Sequence, residues 1–108
     1  MSADVWLEID TGGPEPSPVC ESRNITYNLT PMLAEAGFPG HGEMVGLTAA
    51  EAGPIYQRTA DTLLSDPDRF KKLNPSNGWG DYDGAVVFCR AMADQCAQHS
   101  RAVVGAWL

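Results

Sequence analysis

The sequence predicts a small α+β domain in which three to four helices pack on a minimal sheet, pairing an N-terminal strand (4–10) with a C-terminal one (102–108). Three observations carry that reading. Val5, Leu7 and Ile9 alternate with Trp6, Glu8 and Asp10, the period of two of a half-buried strand. Apolar side chains then recur three and four residues apart through much of the middle of the chain, the period of helices. The tail 102–108 is short, apolar and β-branched enough for a strand. At 108 residues and 44% hydrophobic, the chain (1–108) reads as a single domain able to bury a core without metal or disulfide staples.

Each element has a local reason. The run Thr11-Gly12-Gly13-Pro14-Glu15-Pro16-Ser17-Pro18 stops the first strand because proline removes ladder donors, and 11–23 reads as an exposed, stiff loop. Leu29, Met32, Leu33 and Ala36 take helical spacing, with Thr30 as N-cap, Pro31 as first helical residue and 25–29 as a separate turn. Gly37 suits the left-handed cap that ends such a helix, and 38–46 reads as a loop. Thr48 and Glu51 have capping-box spacing for a helix whose apolar stripe is Ala52, Ile55, Thr59, Thr62 and Leu63. Pro54 lacks a backbone donor, which predicts a kink or restart at 53–54. Ser65-Asp66-Pro67-Asp68 launches a short helix whose last residues, Lys71 and Lys72, suit its dipole. The final helix runs to about His99, with Ala85, Phe88, Cys89, Met92 and Cys96 inward and Arg90, Asp94 and Gln98 outward.

The net charge of −7 is unevenly placed. Residues 1–54 hold Asp4, Glu8, Asp10, Glu15, Glu21, Glu35, Glu43 and Glu51 against the single base Arg23, whereas 55–108 are balanced. Nucleic acid and anionic lipid are therefore poor partners, because phosphate contacts need clustered Lys and Arg. The acidity serves solubility, or forms a face for a basic partner. The sequence shows no apolar run long enough to span a membrane and no export signal, so the expected location is cytoplasmic. Cys20, Cys89 and Cys96 are then expected as reduced thiols, and the sequons at Asn24 and Asn28 as chance matches.

Several motifs tempt and fail. Asp10-Thr11-Gly12 after an apolar strand matches the carboxylate element of aspartic proteases, but 47–99 is helical where those enzymes are β, so the motif reads as a strand-ending turn. Asp81-Tyr82-Asp83-Gly84 matches the core of an EF-hand loop, yet that register puts Trp79 and Arg90 where oxygen ligands belong. Asp81 or Asp83 is better read as the cap of the last helix. Cys96 and His99 are spaced for a metal, with Cys89 and either Cys20 or His41 to complete a site, but both helical cysteines fall on the apolar stripe and read as core thiols. No metal, cofactor or catalytic residue is assigned. A polar pocket from Glu8, Asp10, Asn24, Thr26 and Asn28 is conceivable, although capping and turn roles account for each.

The segment 74–84 is the strongest candidate for function. It concentrates Asn74, Asn77, Trp79, Asp81, Tyr82 and Asp83 among residues that force fixed turns. Such aromatics give large contact area at low entropic cost and are enriched in binding hot spots. In the alternative reading Trp79 folds back over the helix ends and the asparagines make local turns.

Tyr27-Asn28-Leu29-Thr30-Pro31-Met32, together with Leu73-Asn74-Pro75-Ser76-Asn77-Gly78-Trp79-Gly80-Asp81-Tyr82-Asp83-Gly84, resembles a group of small proteins of actinobacteria and their phages, over most of Val5 to about Val104. That resemblance implies a source and transfers no activity or site. It also implies an accessory phage or prophage protein that acts in the host cytoplasm on a host component. The leading expectation is thus a non-enzymatic protein that presents Trp79, Tyr82, Asn77, Asn74 and Asp81 to another protein. The alternatives are a small ligand-binding domain or enzyme with a polar pocket from Glu8, Asn24, Asn28 and the 74–84 loop, and an assembly subunit that dimerises through open sheet edges.

Overall fold

The computed structural model describes residues 1–108 and is α+β, a four-stranded antiparallel sheet with five helices. Strand β1 (Ser2–Ile9) is central. On one side it pairs with β4 (Val103–Trp107), in the register Asp4 with Trp107, Trp6 with Gly105 and Glu8 with Val103. This is the predicted union of the chain ends. The other side of β1 was not anticipated. There the chain returns as β2 (Ser17–Pro18), opposite Ile9 and Glu8, and as β3 (Arg23–Thr26), opposite Val5 to Ser2. Between them the Val19 amide donates to the Leu7 carbonyl at 2.9 Å. The expected loop 11–23 therefore ends by Pro16. Prolines at 14 and 16 precede the pairing, and Pro18 is tolerated at a strand edge that needs no donor there.

The far edge of β4 is also occupied. The Val104 amide donates to Leu47 O, the Gly46 amide to Val104 O, and Thr48 bridges Val103. The two-strand ribbon with both edges open is thus replaced by a sheet whose central strand is paired on both sides.

A 3₁₀ turn (Tyr27–Leu29) leads from β3 into α1 (Thr30–Glu35). The cap here is Thr26, whose hydroxyl accepts from the Asn28 amide at 3.3 Å, and not Thr30, because helical backbone already begins one turn earlier. After α1 the Gly37 amide bonds Ala34 O and the Phe38 amide bonds Leu33 O, the paired bonds of a Schellman end. A helical turn, α2 (His41–Met44), interrupts the expected 38–46 loop and raises the helix count to five. Helix α3 (Ala49–Ser65) starts with the predicted capping box, Thr48 and Glu51 bonding each other's backbone amides. It runs through Pro54 as one helix. Both Pro54 and Ala50, whose carbonyl loses its partner, are exposed, so water satisfies the orphan and no restart is needed. Helix α4 (Pro67–Lys71) and helix α5 (Tyr82–Gln98) complete the layer.

The core lies between the helices and one face of the sheet. Ala3, Val5, Leu7, Ile25 and Val104 meet Met32, Leu33, Leu63, Phe88, Cys89, Met92 and Cys96 in one cluster. The predicted inward face of α5 is buried throughout, while on α3 Tyr56 is fully buried and Ile55 only partly. Ala52, Thr59 and Leu63 of the predicted stripe are buried, Thr62 is only partly so, and Tyr56, which reads as amphipathic, takes the central place expected of Ile55. No helix is long and apolar enough to cross a membrane.

Candidate functional site

The other face of the sheet is the feature that the helices leave uncovered. Strand alternation turns Ser2, Asp4, Trp6 and Glu8 of β1 to that side, and the register adds Asn24 and Thr26 of β3 and Val103, Gly105 and Trp107 of β4. All of these are exposed or half-buried except Gly105, which Trp6 covers. The Trp6 Nε1 donates to the Glu8 carboxylate at 2.7 Å, which lays the indole along the strand and over Gly105. A Cβ at Gly105 would stand 2.6 Å from that nitrogen, so glycine is required by close approach rather than by its dihedrals. Asp4 accepts from Asn24 Nδ2 at 2.9 Å. Trp107, opposite Asp4, is 76% exposed.

The 74–81 segment borders this face. Gly80 has φ +92°, and a Cβ there would lie 2.6 Å from Thr26 Cγ2 and 3.1 Å from Leu29 Cγ, so the loop docks directly on the β3–α1 junction. Docking leaves Trp79 70% exposed beside the sheet. Between them opens a cleft of about 460 Å³, lined by Ser2, Asn24, Thr26, Asn28, Asn77 and Trp79 among others.

The predicted site residues thus divide. Asn77 and Trp79 reach the cleft, and the Asn77 carboxamide oxygen holds the Trp79 amide at 3.0 Å, fixing the turn that carries the indole. Asn24 and Asn28 of the alternative pocket join them, while Glu8 does not: it sits past Trp6 on the same sheet face, engaged by the indole N–H. Asn74 accepts the Tyr82 amide at 2.8 Å and Asp81 accepts the Gly84 amide at 2.8 Å, which are turn and cap roles. Tyr82 is buried in the first turn of α5, and its hydroxyl donates to Leu63 O at 2.7 Å. It belongs to the frame of the loop and offers no surface to a partner. Asp10 accepts the Gly12 amide at 2.8 Å, the expected strand-ending turn.

Sequence reasoning missed Trp6, Asp4 and Trp107 as surface features. The alternation of a half-buried strand put Trp6 opposite to Val5 and Leu7, but Asp4 lay at the edge of that pattern and Trp107 joins the face only through the register of β4 on β1. No family model, curated protein or solved structure matches the chain.

The remaining chemistry is sparse. No three His, Cys, Asp or Glu side chains converge to hold a metal ion. Cys89 and Cys96 lie in the core, where burial pushes their thiols up to about 12 and about 11. A smaller apolar cleft of about 230 Å³ lies between α1 and the Gly40-His41-Gly42 turn. His41 forms its wall and packs against Phe38 and Phe88, with ring centroids 5.2 and 5.7 Å away.

Proposed function

We propose that this protein is a non-enzymatic binding domain that presents the uncovered sheet face, with Trp79 at its margin, to another protein. The observation that supports this reading is the placement of all three tryptophans, Trp6, Trp79 and Trp107, on or beside one face. An exposed indole gains little for stability, whereas a rigidly held one makes a strong anchor for a partner. We take the partner to seek to be a host protein of the host cytoplasm, the component that an accessory phage or prophage protein would act on. The test is affinity capture from an actinobacterial lysate with wild type, Trp79→Ala and Trp107→Ala. Both variants keep the wild-type melting midpoint and lose a partner that the wild type retains. Unfolding of Trp79→Ala, or unchanged capture by both variants, would sink the reading.

A second reading, recognition of a small polar ligand, is favoured by the convergence of Asn24, Asn28 and Asn77 with Trp79 on one cleft. It predicts ligand-induced shifts of these carboxamide resonances and none at Trp107.

A further inference from the structure

The outward sheet face also indicates what kind of segment it receives. We infer that its occupant is an extended, cationic stretch of the partner protein, with arginine or lysine at alternate positions. The inference rests on the binding reading above and deepens it.

Two carboxylates stand on the face, Asp4 and Glu8, on either side of Trp6. Neither forms an ion pair, since the one ion pair of the molecule joins Arg69 to Glu35 elsewhere. Arg23, the single base of the first half, pairs with Val5 in register and so has the opposite parity, that of the helix-covered face. The carboxylates instead accept neutral donors, Asn24 Nδ2 and Trp6 Nε1. Each carboxylate retains acceptor capacity after those bonds. The two carboxylates of the face are therefore held by neutral donors and not by an ion pair, and two indoles lie beside them, Trp6 between the acids and Trp107 directly across from Asp4.

That combination fits a guanidinium or ammonium group better than any other. A cation is attracted to the face of an indole, and a carboxylate beside the ring adds an ion pair to the same group. Spacing narrows the occupant further. Asp4 and Glu8 are four residues apart on one strand, about 13 Å at the usual rise, which matches side chains i and i+4 of another extended chain. A neutral saccharide would use the indoles and leave both charges unanswered.

The experiment is a fluorescence titration, which reads the three surface indoles directly, with a nonapeptide alternating arginine and threonine as probe. A glutamine-for-arginine peptide and cellotetraose serve as comparison probes. Asp4→Asn/Glu8→Gln removes both charges and keeps an oxygen acceptor for Asn24 and Trp6. Asp61→Asn/Asp68→Asn removes the same charge from the helical side. The arginine peptide binds saturably, and the first pair of substitutions weakens it about five- to tenfold, the loss of two surface ion pairs. The second pair changes it less than twofold, and Trp107→Ala weakens it with no change in melting midpoint. Equal losses in both double variants would mean net charge alone, and overturn the inference. Quenching by cellotetraose or the glutamine peptide, with no response to arginine, also overturns it while leaving the binding face standing. If no probe binds and Trp79→Ala and Trp107→Ala keep wild-type capture from lysate, the binding reading falls with it.

Discussion

The indole of Trp6 lies across the backbone of Gly105, its cross-strand partner, and is held there by the bond from its Nε1 to Glu8. The arrangement fills with an aromatic face the gap that a strand glycine leaves. Gly105→Ala pushes a methyl group into that ring and costs about 1–3 kcal/mol. In a Trp6→Ala background the same substitution costs less, since the ring is gone and the Glu8 carboxylate, which also stands against Gly105, is released from the indole N–H and free to swing away. Urea denaturation of the two single variants and the double variant measures the coupling, and simple additivity would refute the contact.

Tyr82 is a structural residue within a segment otherwise open to solvent. Tyr82→Phe strands the Leu63 carbonyl and lowers stability by about 1 kcal/mol. Binding through Trp79 is unaffected by it. A Tyr82→Phe protein of wild-type stability that fails to bind would reverse this assignment.

The three thiols differ in reach. Cys20 is half-buried, whereas Cys89 and Cys96 are buried and their thiolates are disfavoured by desolvation. A chromogenic disulfide reagent at pH 8 therefore titrates Cys20 rapidly in the native protein, and the other two only after denaturation. Fast reaction of Cys89 or Cys96, identified by mass spectrometry, would contradict the packing of α5.

Burial lowers the pKa of His41 below its ordinary 6.5, and its Nδ1 has no hydrogen-bond partner. The unfolded chain therefore takes up the proton first. The stability tied to neutral His41 is complete above pH 6.5 and is lost as the pH falls through the lower, folded-state value. His41→Phe, which suits the surrounding rings, shows a smaller drop in urea midpoint than wild type between pH 7 and pH 5. Identical drops would assign the acid sensitivity to other groups.

Much of the frame was legible in the chain because local rules are short-ranged. The capping box at Thr48 and Glu51, the Gly37 helix end and the inward stripe of α5 each need only a few neighbouring residues, and each stands as the spacing predicts. The loop around Trp79 was also legible as a place of fixed turns, with Asn77 and Asp81 holding backbone amides. Where the reading failed, the missing information was tertiary. The prolines at 14, 16 and 18 predict an exposed, stiff loop over 11–23, yet β1 as a partner strand makes the edge position of Pro18 acceptable.

The sequence by itself determined which residues of the first strand alternate, where α3 and α5 begin and where α1 ends, and that the charge gathers in residues 1–54. Only the tertiary structure decided what those patterns amount to. Alternation puts Trp6 opposite to Val5 whatever the fold, but exposure depends on the helices packing against a single face. It was the docking of Gly80 on Thr26 and Leu29, and the pairing of β1 with β4, that brought Trp79 and Trp107 to the face that Trp6 already occupied.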